Sequence, residues 1–362
     1  MRRVQTGATI LARHMTAPKL AVILGAGASH DVCREPSCLG EPTWQPPLVS
    51  NLFASRPFNN LLNSHLEAAT ILNDLRVEMG SPDANFEVAL RNRWESTDPH
   101  IRHLMRFVPI ALQQFFNKVS QHYTLQPVNY SALVARTVGH GLHTAFITVN
   151  YDTILEKVLV HFRLQEDQIA LKGISPEFDS MESYISYPRW LLVKLHGSAN
   201  WGYRWKPPDD LLQLARKYEP PHPDRNAIEF VADPASFRDS SDAFYPALAL
   251  PVAGKYGFVC PTAHEEELKS FLTHCRFFLF IGFSAKDQDL LDLLSTTVTQ
   301  AERLVVVSGK DAEEVKQRLL SVRRFAAIAS FRPNTLTYSN GFGSFVADGL
   351  DELIDSVSAS DR

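Results

Sequence analysis

The stretch that decides the fold class is KLAVILGAGASH, Lys19 to His30. An apolar run, Ala21 to Leu24, leads without interruption into Gly25-Ala26-Gly27-Ala28-Ser29. An unbroken apolar run is how a strand buried on both faces reads. Closely spaced glycines at its carboxyl end let the chain turn sharply and offer backbone N–H groups to a phosphate at the head of a helix. Taken alone the turn is equally well a tight strand-to-helix connection with Ser29 as its N-cap.

Working outward, similar apolar runs bounded by turn signals recur at Ala145–Val149, Trp190–Leu195, Phe277–Ile281 and Arg303–Val307. Each predicts a buried strand. Helix-like segments follow from Thr153, Lys286 and Asp311. Strand then helix, repeated, predicts an α/β fold: a Rossmann-like, doubly wound parallel sheet with its ligand crevice at the carboxyl ends of the strands. Between the first two strands lies far more chain than the roughly 10–12 residues a minimal crossover needs. Helical spacing in Leu61–Met79 and Ile101–Tyr123 makes the insertion a helical module. The expected organisation is therefore a disordered or non-native extension at 1–17, a sheet domain at 18–60 and 140–330, a helical module at 61–139, and a C-terminal segment at 331–362 that packs on the domain or at a subunit interface. Glu35–Pro57 is proline-rich and reads as irregular. Gly202–Tyr256, also rich in proline, reads as a loop layer over the site.

Composition narrows the partners. A 362-residue chain with 45% hydrophobic residues can bury a sizeable core. Its net charge of -4 and pI near 6.4 give no electrostatic case for wrapping nucleic acid. Cys33, Cys38, Cys260 and Cys275 form no CxxC pair, so neither a zinc ribbon nor a disulfide framework is legible, and a reducing cytoplasm is expected. Arg13 and His14 break the first apolar segment before it reaches the length of a signal-peptide core or membrane span.

The strand ends carry the chemistry. A dehydrogenase fingerprint asks for a third glycine where His30 stands, and for a second strand where the proline-rich Gly40–Val49 stands, so hydride transfer ranks last. The second strand ends in Asn150-Tyr151-Asp152, with Thr153 and Glu156 at capping-box spacing. The third ends in His196-Gly197, and the fourth in Gly282-Phe283-Ser284, with Ser284 and Asp287 at capping spacing. Singly, each is an ordinary turn or cap. Together a parallel sheet gathers two glycine turns, an amide, a carboxylate and an imidazole along one edge. His140 and His143 have no acid or cysteine close by and read as surface or packing residues. The aromatic stretch Trp190, Trp201, Tyr203, Trp205 reads as core, or as a pocket wall around His196.

In order and placement these pieces resemble the sirtuin superfamily, in particular its bacterial sirtuin-like branch of anti-phage defence systems. The resemblance covers about residues 18–60 and 140–310 and leaves the helical module unexplained. It implies that Gly25, Ala26, Gly27 and Ser29 hold the diphosphate of NAD+, that Asn150 faces the nicotinamide ribose, that Asp152 contacts the carboxamide, and that His196 works on the ribose hydroxyls. By the same resemblance Gly282, Ser284 and Asp287 lie by the ribose and phosphate, while Val307, Ser308 and Gly309 lie towards the adenosine. The four-cysteine zinc module and the Pro-Asp-Phe-Arg segment of sirtuin deacylases are missing from the sequence. The implied activity is accordingly hydrolysis of NAD+, as substrate and without a metal, to nicotinamide and ADP-ribose, depleting an infected cell. Non-catalytic binding of NAD or ADP-ribose and NAD-dependent deacylation are the alternatives. The resemblance also implies gating through a homo-oligomer or a partner such as a HerA-family ATPase or a short Argonaute. The helical module and Asn340–Val357 are the candidate contact surfaces between subunits.

Overall fold

The computed structural model describes residues 17–32, 44–78, 86–123, 128–166, 178–205, 224–231, 243–250, 257–330 and 334–359. The expected N-terminal extension, the first part of the Glu35–Pro57 tract, Cys33 and Cys38 lie outside the described residues, apart from Ala17.

The described strands are β1 Lys19–Leu24, β2 His143–Thr148, β3 Trp190–Lys194, β4 Gly197–Trp205, β5 Ile228–Phe230, β6 Ala243–Leu248, β7 Phe277–Ile281, β8 Arg303–Val307 and β9 Thr335–Tyr338. Six of them form a sheet in the order β3-β2-β1-β7-β8-β9, every pairing parallel. β3 and β7 are buried at every residue, which requires cover on both faces. The register sets Leu24 opposite both Thr148 and Ile281, Thr148 opposite Lys194, and Ile281 opposite Val307. The carboxyl ends therefore finish level. From β1 the chain builds outward to β2 and β3 on one side and, later, to β7, β8 and β9 on the other. The switch of direction between β1 and β7 is where sheets of this kind bind ligands.

Two expectations change. β9 was not legible, because its four residues are only partly buried, as an edge strand is, and present no apolar run. The described parts of Gly202–Tyr256 are not irregular: β4, β5 and β6 form an antiparallel sheet in the order β5-β4-β6. Pro246 fits because β6 is an edge strand of that sheet, where a missing N–H costs little.

The described helices are α1 Ala26–Asp31, α2 Arg56–Leu62, α3 Leu66–Glu78, α4 Phe86–Trp94, α5 Pro99–Met105, α6 Phe107–His122, α7 Val128–Gly139, α8 Ile154–Glu166, α9 Thr262–Thr273, α10 Gln288–Thr297, α11 Ala312–Leu320, α12 Arg323–Ala326, α13 Gly341–Asp348 and α14 Leu350–Ala359. The inserted module has a core of its own, built on Phe58, Leu72, Leu75, Leu90, Val108 and Phe115. Local chemistry starts its helices: Ser55 caps α2 with Pro57 in the first turn, and Asp98 caps α5 with Pro99. Helix α7 differs from the expected boundary, since Tyr130, Leu133, Val134 and Val138 are buried in the sheet core. The C-terminal helices likewise bury Phe342, Phe345, Leu350, Leu353, Ile354 and Val357 in that core. Asp31, at the end of α1, accepts the Phe342 N–H at 2.6 Å and so fastens α13 behind the glycine turn. Among the described residues no helix is long and apolar enough to cross a membrane.

Candidate active site

The glycine turn is shaped by a second turn pressed against it. Gly25 N donates to Ile281 O and Gly27 N to Gly282 O, both at 3.0 Å. A Cβ on Gly25 would stand 2.4 Å from Gly282 O, and one on Gly282 2.1 Å from Ala28 N. Gly282 also sits at φ +58, in the left-handed region. These glycines are thus demanded by the close approach of the β1 and β7 ends. Ser29 is not the cap, because the helix begins at Ala26 with Gly25 as N-cap. Its buried hydroxyl instead lies 3.0 Å from Tyr130 Oη and accepts from Asn150 Nδ2 at 3.1 Å.

That bond orients the amide. Asn150 Nδ2 also donates to Gly25 O at 3.0 Å, and a carbonyl can only accept, so the amide nitrogen is fixed on this side. Both amide hydrogens are engaged, and Oδ1 is the end left for a ligand. The Asn150 N–H donates to Thr148 Oγ1, whose hydroxyl donates to Leu24 O, so amide and glycine turn form one unit. Asp152 is buried and accepts the Ile154 N–H on Oδ1 at 3.2 Å, a turn bond that leads into α8. Tyr151, between them, joins the core of the helical module, with its ring 5.1 Å from that of Phe116 and its hydroxyl bonded to Ala249 O. The capping box expected of Thr153 and Glu156 does not form: Thr153 N donates to Ser120 Oγ, and Glu156 accepts from Lys194.

His196 lies two residues beyond Lys194, which is paired with Thr148, and Asn150 two residues beyond Thr148. The imidazole and the amide therefore stand on neighbouring strand ends. His196 is partly open, its side chain 24% exposed, and Nε2 is 2.8 Å from Asp287 Oδ2. The ring N–H lies off the line to that oxygen, so the contact is an ion-pair approach of imidazole and carboxylate and not an aligned hydrogen bond. The other oxygen of Asp287 accepts the Leu290 N–H at 2.9 Å and caps α10. Burial works to raise the Asp287 carboxyl, but His196 and the Leu290 and Asp289 N–H groups outweigh it and hold it below the ordinary aspartate value.

The remaining candidates are more peripheral. Ser284 is exposed and its carbonyl accepts from Arg318 at 2.8 Å. Next to it Ala285, at φ +54, is the one non-glycine residue with positive φ among the described residues, a strained position in the turn after β7. Ser308 follows the end of β8, and its hydroxyl donates to Asp311 at 2.7 Å. Trp190 and Trp201 are fully buried, so those two are core. Sequence reading missed Tyr130, which carries no motif, and Lys194, whose signal was a charge inside an apolar strand. It read Asp287 as a cap and as a residue by the ribose and phosphate, but not as the partner of His196, since that contact spans two strand ends far apart in the chain.

Residues 144–328, about half of the chain, match the family model of the SIR2-like domain. A search of curated proteins found no match. Among solved structures, the crystal structure of a Sir2 homolog–NAD complex is 12% identical, with a TM-score of 0.42, over 100% of this chain and 98% of that chain. A structure described under the structural basis of sirtuin substrate affinity is 14% identical, with a TM-score of 0.42, over 96% of this chain and 99% of that one. The assignment rests on the domain match and not on these distant likenesses. The chain belongs to the SIR2-like family, within the sirtuin superfamily.

Proposed function

We propose that the chain is an NAD+ glycohydrolase that cleaves the bond between nicotinamide and ribose with water, giving nicotinamide and ADP-ribose. The observation that carries this is the pair on neighbouring strand ends: Asn150, whose amide nitrogen is spent on Gly25 and Ser29, and His196, whose Nε2 lies against Asp287. In this reading Asn150 Oδ1 and His196 Nδ1 are the acceptors offered to substrate. A site that only bound the dinucleotide would need the glycine turns more than this pair.

Nicotinamide leaves from a pyridinium as a neutral molecule, so no general acid is required, unlike the departure of a sugar alcohol. What the protein must supply is a held ribose, an oriented water and a base. Asn150 Oδ1 accepts from a ribose hydroxyl or from the attacking water. His196, with its proton on Nε2 facing Asp287, takes a proton on Nδ1, and the Asp287 carboxylate stabilises the imidazolium that forms. Asp152 orients the carboxamide of the leaving ring. By family resemblance the cellular role is NAD depletion in a bacterial anti-phage defence system, as a homo-oligomer or with a HerA-family ATPase or short Argonaute.

The test incubates the protein with NAD+, with and without an acetylated peptide. Free ADP-ribose in both reactions supports the hydrolase. O-acetyl-ADP-ribose formed only with peptide would replace it by the deacylase, and a thermal shift with NAD+ but no nicotinamide would replace it by a binding subunit.

A further inference from the structure

Lys194 is the last residue of β3, and Glu156 stands in the first turn of α8. Neither has a part in the mechanism above, yet their side chains are only 0% and 5% exposed. Lys194 Nζ donates to Glu156 Oε1 at 2.8 Å and also to the Asp152 carbonyl. Glu156 Oε2 takes no hydrogen bond of good geometry among the described residues. Burial pushes the Glu156 carboxyl up and the Lys194 ammonium pulls it back only in part. A buried pair of this kind gives a fold little that well-packed apolar residues would not give. Its position offers a reason of another sort.

Lys194 lies two residues before His196, and Asp152 two residues after Asn150. A single ammonium therefore ties the strand that carries the imidazole to the loop that carries the amide and the carboxylate. The loop is anchored on its other side by the helical module, through Tyr151 in the module core and Thr153 N on Ser120 Oγ. Lys157, next to Glu156, turns away and donates to Ser120 O and Tyr123 O, so it does not compete for the pair. On the sheet side Asn150 is held by Gly25, Ser29 and Thr148, and Tyr151 O by the Ala199 N–H, while the Asp152 carbonyl is held by Lys194.

We propose that Lys194, neutralised by Glu156, is the positioning residue of the Asn150–Asp152 loop, fixing the Asp152 carbonyl and with it the spacing of Asn150 and Asp152 from His196. The proposal rests on the NAD+ cleavage argued above, and its test includes a readout that does not. Lys194→Met alone would strand a buried carboxylate, so the variant is Lys194→Met/Glu156→Leu, which removes both charges at similar volume. A second, Lys194→Gln/Glu156→Gln, keeps a hydrogen-bonding pair without the ammonium.

Amide exchange should rise about tenfold or more at residues 150–153 and stay unchanged in β1 and β7, while melting stays within about 4 °C of wild type. In turnover, kcat should fall about 10- to 100-fold with KM within about threefold, because misplacement of reacting groups is paid in the rate. Unchanged loop exchange, or wild-type kcat in the double variants, overturns the proposal. So does failure of both double variants to fold, which would make the pair a structural element. If the wild type does not cleave NAD+ at all, the glycohydrolase reading falls, and the exchange result alone decides the tie.

Discussion

Replacing Asp287 separates its two jobs, because each of its oxygens has one. Oδ1 accepts the Leu290 N–H and caps α10, and Oδ2 faces His196 Nε2. Asparagine caps a helix about as well as aspartate, whereas alanine loses about 1 kcal/mol there. For a chain of this size that is a fall of about 2–4 °C in Tm for Asp287→Ala and little change for Asp287→Asn. Activity should run the other way. In Asp287→Asn the Leu290 N–H keeps the amide oxygen at the Oδ1 position, so the NH2 group must face His196. A donor there forces the imidazole to present a lone pair on Nε2 and to carry its proton on Nδ1, which removes the acceptor that the ligand side needs. The loss should reach about 10³-fold or more in kcat, the scale seen when a catalytic histidine is held in the wrong tautomer. Asp287→Ala, which leaves the ring free to choose, should lose about 10- to 100-fold. Thermal melting and nicotinamide release on the same three proteins check this. If the alanine variant is the slower enzyme, or the asparagine variant keeps wild-type kcat, His196 does not act through Nδ1.

Other consequences are smaller or simpler. Because the Asp287 carboxyl is held low, its contribution to stability should be whole above the ordinary aspartate pKa of about 4 and lost as pH falls below it towards the lowered folded value; Asp287→Ala should therefore show a weaker loss of Tm in that window. Gly282→Ala should destabilise by about 2–4 kcal/mol in chemical denaturation, since a side chain at φ +58 would press on Ala28 N and drive the two turns apart. Ser29→Ala should lower kcat about tenfold with KM little changed, by freeing one hydrogen of the Asn150 amide, and a normal rate would show that Gly25 O alone suffices to orient it.

Much of the sheet was legible because its strands are buried on both faces. Phe277–Ile281 and Arg303–Val307 begin and end where their apolar runs do, and β1 and β2 start two residues earlier than theirs. The same rule hid β9, whose edge position leaves it half-exposed, and β4 to β6, where proline and glycine masked an antiparallel sheet. Capping statistics misled at Ser29 and Glu156. Each is a residue type favoured near helix starts, but a distant partner, Asn150 or Lys194, took its side chain instead. Motif order placed Asn150, Asp152 and His196 on one edge. What holds them, namely Tyr130 behind Ser29, Asp287 beside His196 and Lys194 under Asp152, comes from residues remote in the chain, and no local pattern announces such contacts.

The central claim is that Asn150 and His196 cleave NAD+ with water as acceptor. Nicotinamide and ADP-ribose should appear in equal amounts from the wild-type protein and NAD+ alone, and should fall to background in Asn150→Ala and His196→Ala proteins that melt as the wild type does. Undiminished release from both variants would contradict the account.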